Sequence, residues 1–169
     1  ITTWIRANKK DFALAKDMGI KETGILVSCS DYHIFNKMGL TRKQAMDKYL
    51  GIVKDALALG IRPRCHFEDI TRADFYGFVV PFANELMRLM ADAKIPIKIR
   101  MCDTMGYGVP YPGAALPRSV PGIVYGLRFY SGVPSELLEW HGHNDFYKVE
   151  VNAATAWMYG AASVNCSLL

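Results

Sequence analysis

The chain has no long hydrophobic run and no dense block of charge. No apolar stretch approaches the roughly 20 residues that a membrane-spanning helix needs, so we expect no membrane association. The net charge is only +4, and the 20 Lys and Arg residues form no run. The composition therefore does not indicate nucleic-acid binding, although a modest positive charge favours anionic small molecules.

The cysteine pattern also lacks a common feature, because no Cys-x-x-Cys pair is present. The four cysteines are far apart, at Cys29, Cys65, Cys102 and Cys166. Isolated cysteines in strand-like apolar segments are typical of small buried thiols in a reducing compartment, not of a disulfide framework or a zinc knot. We therefore expect free thiols and a cytoplasmic protein.

Strand-like and helix-like segments alternate along the whole chain. Apolar residues make up 51% and charged residues 21% of the 169 residues, which is enough for one domain with a buried core. The predicted strands are 1–5, 23–27, 61–67, 95–101, 137–141 and 162–166, and the predicted helices are 8–18, 41–60, 74–91, 119–130 and 145–159. Such alternation implies a parallel sheet with helical crossovers.

Polar side chains mark the ends of the predicted strands, near Ser28, Glu68, Asp103, His141 and Asn165. Reactive groups at the carboxyl end of every strand are typical of an α/β (β/α)₈ TIM barrel, whereas a doubly wound sheet has one switch point. No Gly-x-Gly-x-x-Gly follows the first strand. A TIM barrel needs eight strands and about 250 residues. We therefore predict that residues 1–169 form a partial TIM-barrel catalytic domain covering strands three to eight; a closed six-stranded barrel is the alternative.

The segment 139–145, with the sequence Glu-Trp-His-Gly-His-Asn-Asp, is the most informative motif. Side chains alternate along a strand, so Glu139, His141 and His143 point the same way. Positions two apart lie about 7 Å from each other, and two imidazoles can converge on one cation across that gap. The simpler alternative is a pair of turn histidines near a helix start.

Two further strand ends carry polar groups. In the strand 61–67 and the residue after it, alternation places Arg64, His66 and Glu68 on one face, and in the next strand Arg100 and Thr104 share a face. A divalent ion held by two imidazoles and one carboxylate leaves open positions, which a 2-oxo acid can fill with its keto and carboxylate oxygens. The ion would polarise the carbonyl for attack by a carbanion, while Arg64 binds the other carboxylate through a forked hydrogen bond.

Structural roles remain open for several of these residues. Glu68 could pair with Arg72, four residues later, at the start of a helix. The remaining alternatives are helix caps for Asp69 and Asp74, a cap of the following loop for Thr104, and a plain loop position for His33.

At these residues the chain resembles the acyl-condensing branch of the DRE-TIM metallolyase superfamily, which contains the homocitrate, isopropylmalate and Re-type citrate synthases. The matching segments are 30–33, 66–72, 102–107 and 139–145, in the expected order. The form Glu-aromatic-His-Gly-His-Asn-Asp is closer to the homocitrate and Re-type citrate synthases than to isopropylmalate synthase. The match through 107–113 most resembles the Re-type citrate synthases.

The resemblance implies a Claisen condensation of acetyl-CoA with a 2-oxo acid, assisted by a divalent metal ion. Mn²⁺, Mg²⁺, Co²⁺ and Zn²⁺ all remain open. It also implies that the full-length enzyme is a homodimer. By matching position, the implied roles are metal ligands for His141 and His143, substrate contacts for Arg64, Thr104 and Arg6, and catalytic residues for Glu68, Arg64, Thr104 and His66.

Parts of the family pattern have no match in these residues. They are the Arg-Asp pair of the first strand, the Gly-rich loop after strand eight and the C-terminal region that contributes to catalysis. We therefore expect a segment of a synthase that is inactive alone.

Competing functions share the same motif. Lyases of the HMG-CoA type and biotin-dependent carboxyltransferases use this barrel, although no predicted strand ends in the lysine that a carboxyltransferase would carry. A non-catalytic module that senses a metal or an oxo acid is a further alternative, as is a structural barrel in which the histidines only bond to each other. The motif does not choose between oxaloacetate and 2-oxoglutarate, which differ by one methylene.

Overall fold

The computed structural model describes residues 2–5 and 9–165, and the side chains of residues 9 and 10 are not described. The strands are β1 (Thr3–Ile5), β2 (Glu22–Ser28), β3 (Arg62–Glu68), β4 (Lys98–Asp103), β5 (Leu138–Gly142) and β6 (Ser163–Val164). The helices are α1 (Lys9–Asp17), α2 (Arg42–Ala58), α3 (Val80–Ala93), α4 (Val120–Ser131) and α5 (Val149–Met158). Short helical turns lie at Tyr32–Lys37, Ile70–Arg72, Phe75–Val79 and Ser135–Leu137. The predicted order of strands and helices is confirmed.

All strand pairs of this sheet are parallel, and the spatial order β1-β2-β3-β4-β5-β6 is the chain order. A doubly wound sheet reverses its order at a switch point, whereas a barrel adds each strand on the same side. The fold class is therefore the predicted one: an α/β fold consistent with part of a (β/α)₈ barrel.

The strand register arranges the side chains of the inner face in three rows. The lower row is Trp4, Gly24, Arg64 and Lys98; the middle row is Leu26, His66, Arg100 and Glu139; and the upper row is Ser28, Glu68, Cys102 and His141. The upper row lies at the carboxyl ends of the strands. Layers of inward side chains from neighbouring strands are how a barrel of this kind fills its interior.

The opposite face of the sheet is apolar and lies under the helices. Ile25, Phe67, Met101 and Trp140 have no exposed surface. Phe67 stacks on Phe82 of α3, with ring centroids 5.2 Å apart. This face forms the core, so the polar side chains that alternate with these residues are left to the barrel interior.

The observed helix starts match the predicted ones where a side chain caps the first turn. Thr41 Oγ1 accepts a hydrogen bond from Gln44 N at 3.2 Å, and Gln44 Oε1 accepts one from Thr41 N at 2.9 Å. This capping box begins α2 as predicted. Asp74 also caps, through Gly77 N at 2.8 Å.

The predicted start of the last helix at Asp145 is wrong. Helix α5 begins at Val149, because Tyr147 has a left-handed backbone with φ of 54° and interrupts any helix that would start before it. The side chain of Asn144 accepts a hydrogen bond from Val149 N at 3.3 Å instead.

Cys29, Cys65 and Cys102 are buried free thiols, as predicted, and Cys166 lies outside the described residues. Burial raises the pKa of Cys65 to about 12, so this thiol stays protonated. Among the described residues, no helix is both long enough and apolar enough to cross a bilayer.

Two glycines offer a matched test of helix packing. A Cβ atom at Gly126 on α4 would lie 2.6 Å from the ring of Phe75, which is 3% exposed, whereas a Cβ at Gly51 on α2 meets nothing within 4 Å. We expect Gly126→Ala to lower the free energy of unfolding by about 1–3 kcal/mol through overpacking. Gly51→Ala should raise it by up to about 1 kcal/mol. Urea unfolding followed by circular dichroism measures both, and equal shifts would contradict the close contact at Gly126.

Candidate active site

The upper row of the inner face is the candidate active site, and loops add His33, Lys37 and His143 to it. A cavity of about 420 Å³ opens at the Ser28 end of this row, and its volume is within the usual range of small-molecule sites. It is lined by Trp4, Ile5, Leu26, Ser28, Lys37, Met38, Lys48 and Tyr49. Arg6, a predicted substrate contact, lies outside the described residues.

Glu68 is held at the end of β3 by three neighbours. Its Oε2 atom accepts a short hydrogen bond from Ser28 Oγ and lies 3.3 Å from His33 Nδ1, which is not aligned for a hydrogen bond. Lys37 Nζ is 3.5 Å from Oε1. The interpretation of His33 as a plain loop residue is therefore wrong, because the helical turn at Tyr32–Lys37 brings it and Lys37 over β3.

The suggested pair between Glu68 and Arg72 does not form. Arg72 instead binds Asp69, with Nε 2.8 Å from Oδ1 and Nη2 2.7 Å from Oδ2. Asp69 has a left-handed backbone and makes no side-chain cap, so its predicted capping role is also wrong. The left-handed backbone of Asp69 turns the chain after β3, and its carboxylate then lies next to Arg72.

Thr104 has already left the strand, because β4 ends at Asp103. Its hydroxyl accepts a hydrogen bond from Asp69 N at 2.8 Å and lies 3.5 Å from the carbonyl oxygen of Cys102. Thr104 therefore braces the segment after β3 and does not cap the loop that begins at Gly106, which was the alternative given above. The prediction that Thr104 and Arg100 share one face of the strand is wrong, because Thr104 lies beyond the end of β4.

The two histidines of β5 and its following loop lie side by side, as predicted. The ring centroids of His141 and His143 are 5.2 Å apart, at an interplanar angle of 81°. His141 Nδ1 is 2.9 Å from Asn165 Oδ1. When Nδ1–H donates to this oxygen, the lone pair on Nε2 is left for a ligand. Burial lowers the pKa of His141, and the charges of His143 and Arg100 add to this effect, whereas the hydrogen bond with Asn165 opposes it. The net lowering of the pKa favours the neutral imidazole, which is the form that binds metals.

The donor set fits a divalent cation in kind, but it is incomplete within the described residues. Two neutral imidazoles, one of them held by an outer hydrogen bond, are typical of metal sites. Residues 2–5 and 9–165 contain no group of three or more His, Cys, Asp and Glu side chains suited to one ion. Glu139, the carboxylate expected beside the histidines, is on the predicted face, but its Oε2 atom binds Arg100 Nε at 2.8 Å.

Below the site, five charged side chains form a partly buried network, in which Arg64 and Glu139 are the buried members. Glu22 Oε1 lies 3.3 Å from Arg64 Nη1, and Glu22 Oε2 lies 3.2 Å from Lys98 Nζ. Glu139 is 2.8 Å from Arg100, 3.7 Å from Lys98 and 4.0 Å from Arg64. Arg64 is only 7% exposed. Its guanidinium therefore faces Glu22 at the start of β2, two rows below the strand ends, and not an open carboxylate site.

His66 lies in the middle row and is closely surrounded by neighbouring residues. Its Nε2 atom accepts a hydrogen bond from Arg64 Nε at 3.3 Å, and its ring stacks on Trp4 with centroids 5.6 Å apart. A Cβ on Gly24 would lie 2.8 Å from that nitrogen, so only glycine fits there. Burial, followed by the charges of Arg100 and Arg64, lowers the pKa of His66 to about 3. A group that stays neutral near pH 7 is suited to positioning a ligand rather than to proton transfer.

A buried aspartate, which the sequence did not single out as a functional residue, organises the loop after β4. Asp103 is 1% exposed and points to the helix side of the sheet. Its Oδ1 atom accepts hydrogen bonds from Thr71 Oγ1 at 2.7 Å and Tyr107 N at 2.9 Å, and Oδ2 accepts one from Gly108 N at 2.9 Å. Asn152 Nδ2 on α5 then donates to Gly108 O at 2.9 Å. The loop is thereby fixed against the loop that carries His143.

Comparison with known proteins identifies the family. The HMGL-like family matches residues 1–169. The chain therefore belongs to the HMGL-like family, in agreement with the superfamily that its motifs resemble.

Three relatives with named activities resemble this chain over almost its whole length. The chain is 66% identical over 169 residues to the citrate (Re)-synthase of Clostridium kluyveri, covering 100% of this chain and 37% of that protein. It is 61% identical to the citrate (Re)-synthase of Syntrophus aciditrophicus, of which it covers 27%. It is also 42% identical to the 2-phosphinomethylmalate synthase of Streptomyces hygroscopicus, covering 99% of this chain and 38% of that protein. The chain thus spans well under half the length of these relatives.

Solved structures support the fold. The hydroxymethylglutaryl-CoA lyase of Pseudomonas aeruginosa superposes with a TM-score of 0.73 at 20% identity, covering 99% of this chain and 53% of that one. The HMG-CoA lyase of Brucella melitensis gives 0.73 at 15% identity, covering 98% and 55%. At these identities the likeness concerns the architecture alone.

We predict that the imidazole of His66 remains neutral far below its ordinary pKa of 6.5. Between pH 6.5 and about 3 the unfolded chain then binds a proton that the folded chain does not, so this contribution to stability is complete above pH 6.5 and lost as the pH falls. Nitrogen-15 NMR of the imidazole should show the neutral form down to acid unfolding. His66→Gln, which keeps a neutral partner for Arg64, should have a shallower acid limb, and a ring that titrates near 6.5 would refute the assignment.

We predict that Asp103→Asn lowers the free energy of unfolding by about 2–3 kcal/mol, because one amide N–H₂ then faces donors that the carboxylate had satisfied. Chemical denaturation gives the value, and Asp47→Asn on the exposed side of α2 is the matched control. Hydrogen exchange at Tyr107 N and Gly108 N should accelerate in the first variant only. Unchanged protection there would mean that Asp103 does not hold the loop.

Proposed function

We propose that this chain is part of the catalytic barrel of an acyltransferase that joins acetyl-CoA to a 2-oxo acid, in the manner of a citrate (Re)-synthase. In the balanced reaction acetyl-CoA, oxaloacetate and water give citrate and free CoA. The observation that carries the proposal is the pair His141 and His143, whose ring centroids are 5.2 Å apart, with His141 in the same row as Glu68. The names of the two citrate (Re)-synthases at 66% and 61% identity favour oxaloacetate over 2-oxoglutarate.

His141 and His143 would hold a divalent ion, with Mn²⁺, Mg²⁺, Co²⁺ and Zn²⁺ as the candidates. When bound, the ion would polarise the ketone carbonyl of the oxo acid. Asn165 would fix the tautomer of His141, so that Nε2 faces the ligand. At least one further protein ligand would come from outside the described residues.

Glu68 and His33 would handle the proton that the methyl group of acetyl-CoA loses. Glu68 Oε2 lies 3.3 Å from His33 Nδ1, and Ser28 and Lys37 keep the carboxylate in place. A carboxylate beside an imidazole is a common arrangement for general base catalysis. The resulting carbanion attacks the carbonyl carbon of the oxo acid, and water then releases CoA.

A cation in the barrel interior would bind the distal carboxylate of the oxo acid. Arg64 was the first candidate, but Glu22 and Glu139 already surround it. Arg100 lies one row closer to the barrel mouth and uses only Nε for Glu139, so both of its terminal nitrogens remain available among the described contacts. We therefore propose Arg100 in place of Arg64 as the cation that binds the distal carboxylate, with Thr104 and Arg6 as the other substrate contacts.

The activity belongs to the full-length enzyme in this proposal, and the isolated segment would be inactive. A cytoplasmic location suits the three free thiols. A homodimer would cover the exposed aromatic cluster on the outer helices, in which Tyr125 stacks on Phe129 at 5.4 Å and Phe129 meets Tyr130 at 5.1 Å.

Carbon–carbon bond cleavage of the HMG-CoA lyase type is the second candidate. The superposition on HMG-CoA lyases with TM-scores of 0.73 favours it only at the level of architecture. A sensor that binds a metal or an oxo acid without turnover would use the same residues. Incubation with acetyl-CoA and oxaloacetate, and separately with HMG-CoA, discriminates among the three functions.

The test exchanges this segment into the Clostridium kluyveri citrate (Re)-synthase, so that the rest of the barrel is present. With Mn²⁺ the exchanged enzyme should release CoA from acetyl-CoA and oxaloacetate. His141→Ala and His143→Ala should each lower metal content and reduce kcat by at least about 100-fold, the usual effect of removing a group that stabilises transition-state charge.

His66→Gln is the matched control for these variants, because it removes a histidine that is not part of the pair and should retain the metal. Metal content is measured by elemental analysis and activity by thiol release. Full metal binding by both alanine variants would refute the assignment of the pair. Metal binding without CoA release in the exchanged enzyme would favour the sensor.

A further inference from the structure

A small pocket lies at the rim of the barrel mouth, between the loops that follow β4 and β5. It has a volume of about 210 Å³ and is lined by Tyr107, Arg118, Phe146 and Lys148. We call it the rim pocket. None of its residues belongs to the histidine pair or to the Glu68 cluster, so its chemistry needs a separate explanation.

The rim pocket contains two neighbouring aromatic rings with an open side. The ring centroids of Tyr107 and Phe146 are 5.6 Å apart, at an interplanar angle of 36°. Phe146 is 55% exposed. An apolar ring left in solvent beside another ring is a surface on which a planar group can stack.

Two cations flank these rings. The guanidinium carbon of Arg118 lies 5.0 Å from the centroid of Tyr107, and Lys148 Nζ lies 5.2 Å from the centroid of Phe146. Within the described part of the chain, neither cation has a carboxylate partner, whereas Arg72 beside them is bound by Asp69. Two neighbouring positive charges without a carboxylate partner favour an anionic ligand, and a guanidinium in particular matches phosphate oxygens.

Part of the rim pocket is rigid before any ligand arrives. Arg118 Nη1 donates a hydrogen bond to Thr71 O, and Tyr107 N donates to the buried carboxylate of Asp103. The pocket also adjoins the proposed active site, because a Cβ on Gly106 would lie 3.1 Å from the carbonyl oxygen of His143. A ligand anchored here would therefore lie next to the loop that carries His143.

We infer that the rim pocket binds the phosphorylated adenosine end of the acyl-CoA cosubstrate, with the base on Tyr107 and Phe146 and phosphate on Arg118 and Lys148. The chemistry required is a flat heterocycle joined to phosphate. A free adenine nucleotide has the same chemistry and would make the pocket a regulatory site. Only the choice of acyl-CoA as the source rests on the proposed function.

The first test measures binding of adenosine 3′,5′-bisphosphate to the exchanged enzyme by titration calorimetry at fixed salt concentration. Lys148→Ala and Phe146→Leu should each weaken binding about tenfold, since each removes one charge-assisted or stacking contact. Lys54→Ala, which removes an equal charge from the exposed face of α2, should leave the affinity unchanged. Equal affinities for the wild type, Lys148→Ala and Phe146→Leu would overturn the inference.

The second test separates the two sources of the ligand. Lys148→Ala should raise the KM for acetyl-CoA about tenfold without changing kcat, and should have no effect with S-acetyl-pantetheine, which lacks the nucleotide. Competitive inhibition by the bisphosphate against acetyl-CoA assigns the pocket to the cosubstrate, whereas non-competitive inhibition assigns it to a free nucleotide. Bisphosphate binding needs no turnover, so an enzyme without synthase activity would contradict the proposed function and leave this measurement valid.

Discussion

The barrel interior depends on the buried ion pairs that connect the inner faces of β2 to β5. Charged groups removed from water must be paired, and loss of one partner of such a pair commonly costs about 3–5 kcal/mol. Three cations, Arg64, Lys98 and Arg100, share two carboxylates, Glu22 and Glu139, so the network carries one net positive charge. It allows the inner face to be polar while the outer face provides the apolar core. The candidate site thus lies directly above this network of ion pairs.

The excess positive charge of this network also affects the pKa values of His66 and His141. Arg100 lowers the pKa of both His66 and His141, in addition to the effect of burial. Neutral imidazoles can accept hydrogen bonds or bind a metal, which protonated ones cannot. In the proposed function the same charge would attract the carboxylates of the oxo acid into the barrel mouth. The proposed chemistry needs both conditions, and one set of ion pairs at the bottom of the sheet supplies them.

The sequence predicts what depends on periodicity and order. Strand and helix alternation identifies the parallel sheet, and the two-residue period of a strand places His141 and His143 together. The ion-pair partners of the polar side chains could not be predicted in this way. Glu139 and Arg64 are on the expected face, but their partners come from strands far away in the chain, and no local pattern reveals them. Asp103 was missed as a loop anchor because two of its three hydrogen bonds come from backbone groups and the third comes from Thr71, 32 residues away, so no local pattern reveals them.

The position of Asn165 gives one more reason to treat the histidine pair as a functional site. Asn165 follows β6, the strand next to β5, and its amide oxygen holds His141 Nδ1 at 2.9 Å. Two histidines that only satisfied each other would bond ring to ring and would need no third residue to orient them. Here the outer nitrogen of His141 lies at hydrogen-bond distance from a neighbour, which leaves Nε2 as the acceptor when Nδ1–H donates to Asn165, and burial disfavours protonation of the ring. A nitrogen with a fixed lone pair at the mouth of a barrel is arranged to accept a ligand, and the second imidazole beside it makes a cation the best match.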